Sequence, residues 1–278
     1  MFKIFHLTIL LAGSVLLSKG NPDYDIVPDV IYARKAGMAL TYDVLTPYRG
    51  GNGAGIIHIV SGGWNSKYQS PDTVGYHYLP FLEKGYTIFI VRHSSAPYFK
   101  VPDAVEDIQA AVDHIMAHAS RFSVDKDRLG IYGGSAGGQL ALMAGLARDT
   151  NRLAAVVAFF PPTDLSRFPA FMARLYPAMD FDTALIAGIS PVNFASPGDS
   201  PTLLIHGDLD FIVPVSQSEL LYEILEKNKV PSRLVIYGGM GHGNSYGGKK
   251  KYFGKGLAEM LAWFDLYLTG QTVAAGKL

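Results

Sequence analysis

The chain has 278 residues, about half of them hydrophobic, with 30 glycines, 16 prolines and no cysteine. This size and composition favour one large α/β domain, and the lack of cysteine excludes disulfides, thiolate metal sites and a cysteine nucleophile. The 24 basic and 24 acidic residues balance, so no basic surface indicates a nucleic-acid partner.

The first 20 residues have the pattern of a secretory signal peptide. Lys3 supplies a positive charge, residues 4–17 are almost wholly apolar, and residues 18–20 include the small residues that favour cleavage. The apolar run is short for a bilayer span. We therefore expect cleavage near Gly20, a secreted or periplasmic protein without a stable membrane anchor after processing, and a mature domain over residues 21–278.

Apolar strands alternate with helices through the rest of the chain. Residues 21–28 form a polar lead-in, and apolar residues spaced three and four apart predict one helical face from Val105 to Met116. Strands that are apolar throughout, alternating with helices, predict a parallel sheet buried on both faces. The predicted strands are 39–45, 54–60, 86–91, 129–133, 153–160, 201–206 and 233–237, and further helices are predicted from Gln139 and over 76–84, 216–225 and 257–268.

Residues 161–199 do not fit this alternation. They contain several large apolar side chains among prolines and a few charges, which is too apolar for a free loop. Two interpretations stay open: a small cap inserted over the end of the sheet, which we expect, or ordinary helix packed on the sheet edge.

The candidate nucleophile is Ser135. Gly133, Ser135 and Gly137 fit the G-x-S-x-G pattern of a nucleophile elbow, in which the serine occupies a tight turn between a strand and a helix. The turn brings its neighbours so close that glycine fits best two residues before and after the serine. The pattern alone is common in glycine-rich turns, but the predicted strand before it and helix after it favour an elbow.

A nucleophilic serine needs a histidine base, and that histidine needs an orienting acid. In elbow-type folds the order along the chain is serine, acid, histidine. Here one predicted strand runs into Asp208 and Asp210, and the next runs into His242, which has a glycine on each side. The carboxyl ends of parallel strands gather at one edge of the sheet, so Ser135, an aspartate and His242 can converge. The residues alone leave both aspartates within reach.

The same chemistry requires N–H donors for the oxyanion that forms on the substrate carbonyl. Ala136, directly after the nucleophile, is one candidate. Gly62 and Gly63, in the loop after the second predicted strand, are the others, because glycine lets the backbone approach a substrate closely.

A metal site is not expected. His114 and His118 lie four apart on a predicted helix, as in zinc proteases, but an isoleucine follows His114 where those enzymes have glutamate. No organic cofactor is indicated either.

These motifs resemble the α/β-hydrolase superfamily, and more closely its esterases of the hormone-sensitive-lipase-like and bacterial carbohydrate-esterase kind, related to the prolyl oligopeptidase catalytic domain. The resemblance covers nearly all of the chain after residue 20. It implies a mainly parallel sheet of about eight strands, helices on both faces and a small cap. It also implies that the second acid of its run, Asp210, is the triad member. The matching motifs are residues 133–138, His206-Gly207-x-x-Asp210-x-x-Val213-Pro214 and Gly241-His242-Gly243.

One loop departs from the resemblance. Such esterases usually have His-Gly-Gly-Gly-Trp at the oxyanion loop, whereas this chain has Val60-Ser61-Gly62-Gly63-Trp64. The two glycines nearest the tryptophan remain, so the donors can remain. The loss of the histidine and first glycine leaves the loop conformation and the substrate preference open.

The resemblance implies a serine hydrolase that cleaves small-molecule carboxylic esters through an acyl-enzyme, with acylated carbohydrates as one substrate class. The alternative is a serine peptidase of the prolyl-oligopeptidase type. Those enzymes usually carry a propeller domain, for which 278 residues leave no room, so we expect an esterase. A non-catalytic binding protein on this fold typically lacks a triad member, and here all three are present. The acyl and alcohol groups and the oligomeric state stay undetermined at this level.

Overall fold

The computed structural model describes residues 24–147, 153–168, 172–243 and 250–271, so the expected signal peptide lies outside the described residues. The strands are β1 (Tyr24–Lys35), β2 (Met38–Pro47), β3 (Gly55–Ile59), β4 (Thr87–Val91), β5 (Leu129–Gly134), β6 (Ala155–Phe159), β7 (Thr202–Gly207) and β8 (Ser232–Tyr237). The α-helices are α1 (Pro71–Val74), α2 (Leu79–Leu82), α3 (Val101–His118), α4 (Ala136–Leu146), α5 (Met172–Leu175), α6 (Ser216–Lys227) and α7 (Lys250–Phe264), which continues as a π-helical turn (Asp265–Thr269). Short 3₁₀ turns cover Gly75–Tyr78, Ala119–Phe122, Lys126–Arg128, Leu165–Arg167, Pro177–Met179, Thr183–Ile189 and Pro191–Asn193.

The eight strands form one sheet in the order β1-β2-β4-β3-β5-β6-β7-β8. Strands β3 to β8 are parallel, and β1 and β2 pair antiparallel at one end. Each strand predicted from the sequence corresponds to one of β2 to β8, to within two residues at either end. The predicted α/β-hydrolase class, with a mainly parallel sheet of about eight strands and helices on both faces, is confirmed.

Strand β1 corrects the sequence interpretation, which predicts a polar lead-in over residues 21–28 and a first strand only at 39–45. Tyr24–Lys35 forms an edge strand that pairs with β2, and the pairing skips from Val27 to Val30. Pro28 lies within that irregularity, where no ladder hydrogen bond is lost. About half of β1 is exposed, so it lacks the continuous apolar run that marked the buried strands.

The predicted helix over residues 76–84 is also corrected. The 3₁₀ turn Gly75–Tyr78 and the four-residue helix α2 occupy this span, directly after α1. Pro80 lies inside the predicted span, and a proline in a helix interior removes a backbone donor and clashes with the preceding turn. Pro80 is instead accommodated in the first turn of α2.

Helices cover both faces of the sheet. On one face α3, α4 and α6 pack over the sheet in one apolar cluster, and on the other face α2 and α7 complete a second cluster. The apolar face predicted for α3 is buried, and fully burying a valine, leucine or isoleucine contributes about 1.5–3 kcal/mol. Among the described helices, none combines the length and apolar character that crossing a membrane requires.

The described residues of the 161–199 segment form α5 and the four 3₁₀ turns between Leu165 and Asn193. These turns contact α3, α4 and α6. The segment therefore lies on the α3–α4–α6 face, and the cap stays a prediction.

Candidate active site

Ser135 lies between the end of β5 and the first residue of α4, with φ 54° and ψ −122°. A positive φ is uncommon for a residue with a side chain, and it turns the chain sharply from strand into helix. The Ser135 N–H donates to the carbonyl oxygen of Phe159 at 2.9 Å, which ties the turn to the end of the neighbouring strand β6.

The glycines around this turn are required by close backbone approach. A Cβ built on Gly133 would lie 2.3 Å from the carbonyl oxygen of Gly137, a distance that real Cβ atoms essentially never show. The pattern of glycines two residues before and after the serine therefore has a direct steric cause in this chain.

Replacing Gly133 by alanine is expected to destabilise the protein by at least about 1–3 kcal/mol, because a backbone oxygen must move to admit the new methyl group. Thermal and urea unfolding of the purified variant measure this. Gly188→Ala is the matched control, since a Cβ there meets nothing within 4 Å. Equal unfolding midpoints for the two variants would contradict the steric explanation.

His242 connects the serine to an aspartate. Its Nε2 lies 3.0 Å from Ser135 Oγ and its Nδ1 lies 2.7 Å from Asp210 Oδ2. A carboxylate only accepts, so Nδ1 carries the ring hydrogen and Nε2 is left to accept from the serine hydroxyl. The Phe160 ring packs edge-on against the imidazole, with 4.7 Å between the ring centroids. The structure thus brings Ser135, His242 and Asp210 into one chain of hydrogen bonds.

Asp210 is buried, with 5% of its surface exposed, and is held as an ionised acceptor. Its Oδ1 accepts from the N–H groups of Ile212 and Val213 at 3.0 and 2.9 Å. Burial by itself raises a carboxyl pKa, but hydrogen bonds from His206, His242 and the Val213 N–H outweigh it and hold the pKa of Asp210 well below its usual range. Asp210 therefore stays charged at neutral pH.

Asp208, the other aspartate within reach by sequence, occupies a different place. It is exposed, and its Oδ1 accepts from the Gly239 N–H at 2.7 Å. That bond joins the loop after β7 to the loop after β8. Of the two acids, the structure places Asp210 at His242.

His206 is a contributor that the sequence reasoning did not single out. It lies at 0% exposure at the end of β7, and its Nε2 is 2.8 Å from the Val213 carbonyl and 3.4 Å from Asp210 Oδ2. Its Nδ1 is 2.7 Å from Ser218 Oγ. Since the Val213 carbonyl only accepts, Nε2 carries a hydrogen. This N–H group also directs its positive partial charge toward the Asp210 carboxylate. The four-residue spacing from His206 to Asp210 was the signal available in the sequence.

The oxyanion donors need one correction. The Gly62 N–H, predicted as a donor, is engaged by the carbonyl oxygen of Asn65 at 2.9 Å, and the Asn65 N–H returns a bond to Gly62 at 3.0 Å. This tight turn takes Gly62 out of the candidate donor set. Ala136 is the first residue of α4, where helix N–H groups have no intrahelical acceptor. Gly63 lies inside the turn that Gly62 and Asn65 close. These two N–H groups remain the candidates.

Tyr176, from the 161–199 segment, covers the oxyanion loop. A Cβ on Gly63 would lie 2.6 Å from the Tyr176 ring, and Gly63 has φ +56°. The ring also meets Trp64 edge-on, at 6.3 Å between centroids. Trp64 Nε1 donates to Gln139 Oε1 at 3.0 Å, which anchors the loop to α4.

The sheet order and the elbow define the α/β-hydrolase fold class, and solved structures share it. The apo form of Thermogutta terrifontis esterase 2 matches with a TM-score of 0.74 and 24% identity over 88% of this chain and 94% of that one. A truncated carbohydrate esterase from gut microbiota matches with a TM-score of 0.75 and 22% identity, over 89% and 97%. At these identities the similarity shows the fold.

The sequence model of the BD-FAE family matches residues 43–225, which is more than half of the chain. The chain belongs to the BD-FAE family. The matched span includes Ser135 and Asp210 and ends before His242. The resemblance to esterases of the α/β-hydrolase superfamily is confirmed.

Two curated relatives are partial matches. The probable carboxylic ester hydrolase LipM of Mycobacterium tuberculosis is 27% identical over 176 residues, 56% of this chain and 40% of LipM. The uncharacterized peptidase YuxL of Bacillus subtilis is 29% identical over 172 residues, 59% of this chain and 25% of YuxL. The chain thus spans less than half the length of either relative.

Proposed function

We propose that this chain is a serine hydrolase that cleaves small-molecule carboxylic esters through an acyl-enzyme. The observation that carries the proposal is the hydrogen-bond chain from Asp210 through His242 to Ser135, placed on a strained elbow at the carboxyl edge of the sheet. Membership of the BD-FAE family and the similarity to LipM support an ester substrate.

In the first half-reaction Ser135 Oγ attacks the ester carbonyl carbon while its proton moves to His242 Nε2. The carbonyl becomes a tetrahedral oxyanion, which the N–H groups of Ala136 and Gly63 stabilise. When the intermediate collapses, the bond to the alkoxy oxygen breaks and His242 returns the proton to the leaving alcohol. The acyl group remains on Ser135.

In the second half-reaction His242 Nε2 takes a proton from water, and the water oxygen attacks the acyl carbon. Collapse of the second tetrahedral intermediate returns the proton to Ser135 Oγ and releases the carboxylic acid. Asp210 does not take up a proton in this cycle; it holds the imidazole tautomer and stabilises the imidazolium. The depressed pKa of Asp210 suits this role, because the charge persists throughout the neutral range.

Acylated carbohydrates are the substrate class we place first among small-molecule esters. The support is the structural similarity to a protein described as a carbohydrate esterase. A peptide amide is the alternative substrate, and the similarity to YuxL, described as a peptidase, supports it. LipM, described as a probable carboxylic ester hydrolase, and the structurally similar esterases favour the ester.

A panel of acetyl, longer acyl and feruloyl esters, assayed beside peptide amides, tests this proposal. We expect ester turnover and covalent labelling of Ser135 by an organophosphate, located by peptide mass spectrometry. Amide turnover at a kcat/KM comparable to that of the esters would indicate a peptidase. Neither turnover nor label would indicate a binding protein on the hydrolase fold.

We also propose that the protein is exported and that its mature form begins near Asn21. The support is the apolar run over residues 4–17 followed by Ser18-Lys19-Gly20. N-terminal sequencing of protein secreted from an expressing cell should read Asn21 or a neighbouring residue. Membrane-bound protein that retains Met1 would indicate an anchor instead.

A further inference from the structure

The residue that replaces the usual first glycine of the oxyanion loop has a specific partner. Ser61 stands two residues after β3, and His93 stands two residues after β4. Ile59 and Val91 are partners in the parallel ladder, so the two positions continue side by side. Ser61 Oγ lies 2.9 Å from His93 Nε2.

The direction of this hydrogen bond follows from the other ring nitrogen. His93 Nδ1 lies 2.6 Å from the carbonyl oxygen of Ser94, which can only accept, so Nδ1 carries the hydrogen. His93 is 5% exposed, and burial lowers its pKa, which favours the neutral ring. In the neutral ring Nε2 has a lone pair, and the Ser61 hydroxyl donates to it.

The backbone next to His93 is anchored by a buried carboxylate. The backbone N–H of Ser94 donates to Asp107 Oδ2 at 2.8 Å, and the Ser94 hydroxyl donates to the same carboxylate. Asp107 is 3% exposed on α3, and its Oδ1 lies 2.8 Å from Lys35 Nζ at the end of β1. Ser94, whose carbonyl orients the imidazole, is therefore tied to α3 directly and to β1 through Asp107.

These contacts fix the oxyanion loop at both ends. His93 holds the loop at Ser61, and Gln139 of the elbow helix holds it at Trp64. A Cβ on Gly137 would lie 3.5 Å from the Ser61 carbonyl oxygen, so the first end of the loop runs directly past the elbow. Gly63, which carries a candidate donor, lies between the two anchors.

We propose that His93 is a positioning residue, which acts through the Ser61 hydroxyl to aim the Gly63 N–H at the oxyanion above Ser135. The proposal rests on the proposed ester hydrolysis and adds to it a residue that does not contact the substrate.

The first test is a pair of substitutions at His93. His93→Leu removes the acceptor and should lower kcat for an acetyl ester by about 10- to 100-fold, somewhat less than the loss of a whole oxyanion donor. KM should stay within about threefold, because the oxyanion exists only after attack on the carbonyl. His93→Gln retains an acceptor oxygen near the Nε2 position and should keep kcat within about threefold of the parent.

A double-mutant cycle shows whether His93 acts through Ser61. Ser61→Ala should lower kcat about as far as His93→Leu, and the double variant should be no slower than the slower single variant. His114→Leu is the control, since it removes a different histidine hydrogen bond, to Tyr42 Oη at 3.0 Å, away from this loop. Its kcat should stay within about twofold of the parent.

A second readout does not depend on turnover. In ¹⁵N-histidine-labelled Ser135→Ala protein, the His93 ring should show a protonated Nδ1 and a hydrogen-bonded Nε2, and adding Ser61→Ala should shift only the Nε2 resonance strongly. An unshifted Nε2 would contradict the contact.

The kinetic outcomes separate the two proposals. If the parent protein hydrolyses no ester, the proposed function fails whatever the spectrum shows. If the parent is active, the positioning role is wrong when His93→Leu keeps kcat within about twofold of the parent. It is also wrong when His93→Gln lowers kcat as far as His93→Leu does, or when the losses in kcat from Ser61→Ala and His93→Leu multiply in the double variant. If His93→Leu does not fold, the kcat values of His93→Gln and Ser61→Ala still test the positioning role.

Discussion

Ser135→Ala is expected to lower ester turnover by on the order of 10⁴- to 10⁶-fold, because no other group in the proposed mechanism can form the acyl-enzyme. The fold should be retained, since the Ser135 side chain is only partly buried and its Oγ bonds only His242 among the contacts described. Initial rates on an acetyl ester, with circular dichroism and thermal unfolding of the same preparation, measure both effects.

Two controls separate the nucleophile from general damage. Ser120→Ala changes an exposed serine in the 3₁₀ turn that follows α3 and should leave both rate and stability unchanged. Organophosphate labelling should disappear in Ser135→Ala and persist in Ser120→Ala. A folded Ser135→Ala protein with unchanged ester turnover would remove the elbow hypothesis.

Asp210→Asn is expected to lower kcat by about 10³- to 10⁴-fold. The amide can donate a hydrogen to His242 Nδ1, which favours the tautomer with its hydrogen on Nε2, and that tautomer cannot accept the proton of Ser135. The amide also removes the charge that stabilises the imidazolium. Steady-state kinetics on the same acetyl ester give the effect, and KM should change little because the acid does not touch the substrate.

Asp208→Asn is the matched control, since it makes the same chemical change two residues away in the same loop. Its amide oxygen can still accept from the Gly239 N–H, so kcat should stay within about threefold and the effect should lie mainly in loop stability. If Asp208→Asn proves the more damaging of the two, then Asp208 and not Asp210 is the triad acid.

Much of this molecule follows from local sequence. The apolar runs of β2 to β8 mark buried strands because a sheet covered on both faces leaves no polar side, and their spacing with α3 and α6 predicts the alternating order. Part of the elbow is likewise local, because a side chain on Gly133 would collide with the backbone of Gly137 four residues later, whereas one on Gly137 would collide with the carbonyl oxygen of Ile59 in β3. The order of serine, aspartate and histidine after successive strands then predicts that they meet at one edge.

Other features depend on contacts between distant segments, which no local pattern contains. Position after the strand leaves Asp208 and Asp210 equivalent, and the resemblance to esterases predicted Asp210 without a physical reason. The fold supplies the reason, because it buries Asp210 against two histidines while Asp208 accepts a hydrogen bond from a neighbouring loop. Likewise, β1 forms because β2 offers an edge, despite its proline and its exposed residues.

The oxyanion loop shows the same division. Its glycines are visible in the sequence, but the local turn that engages the Gly62 N–H with Asn65 is seen only in the folded loop. The hydrogen bond from Ser61 to His93 arises only when β3 and β4 lie side by side. Hydrogen bonds between backbone groups and between side chains of neighbouring strands depend on register and burial. The sequence by itself therefore determined which residues could do the chemistry, and the tertiary structure decided which of them are oriented to do it.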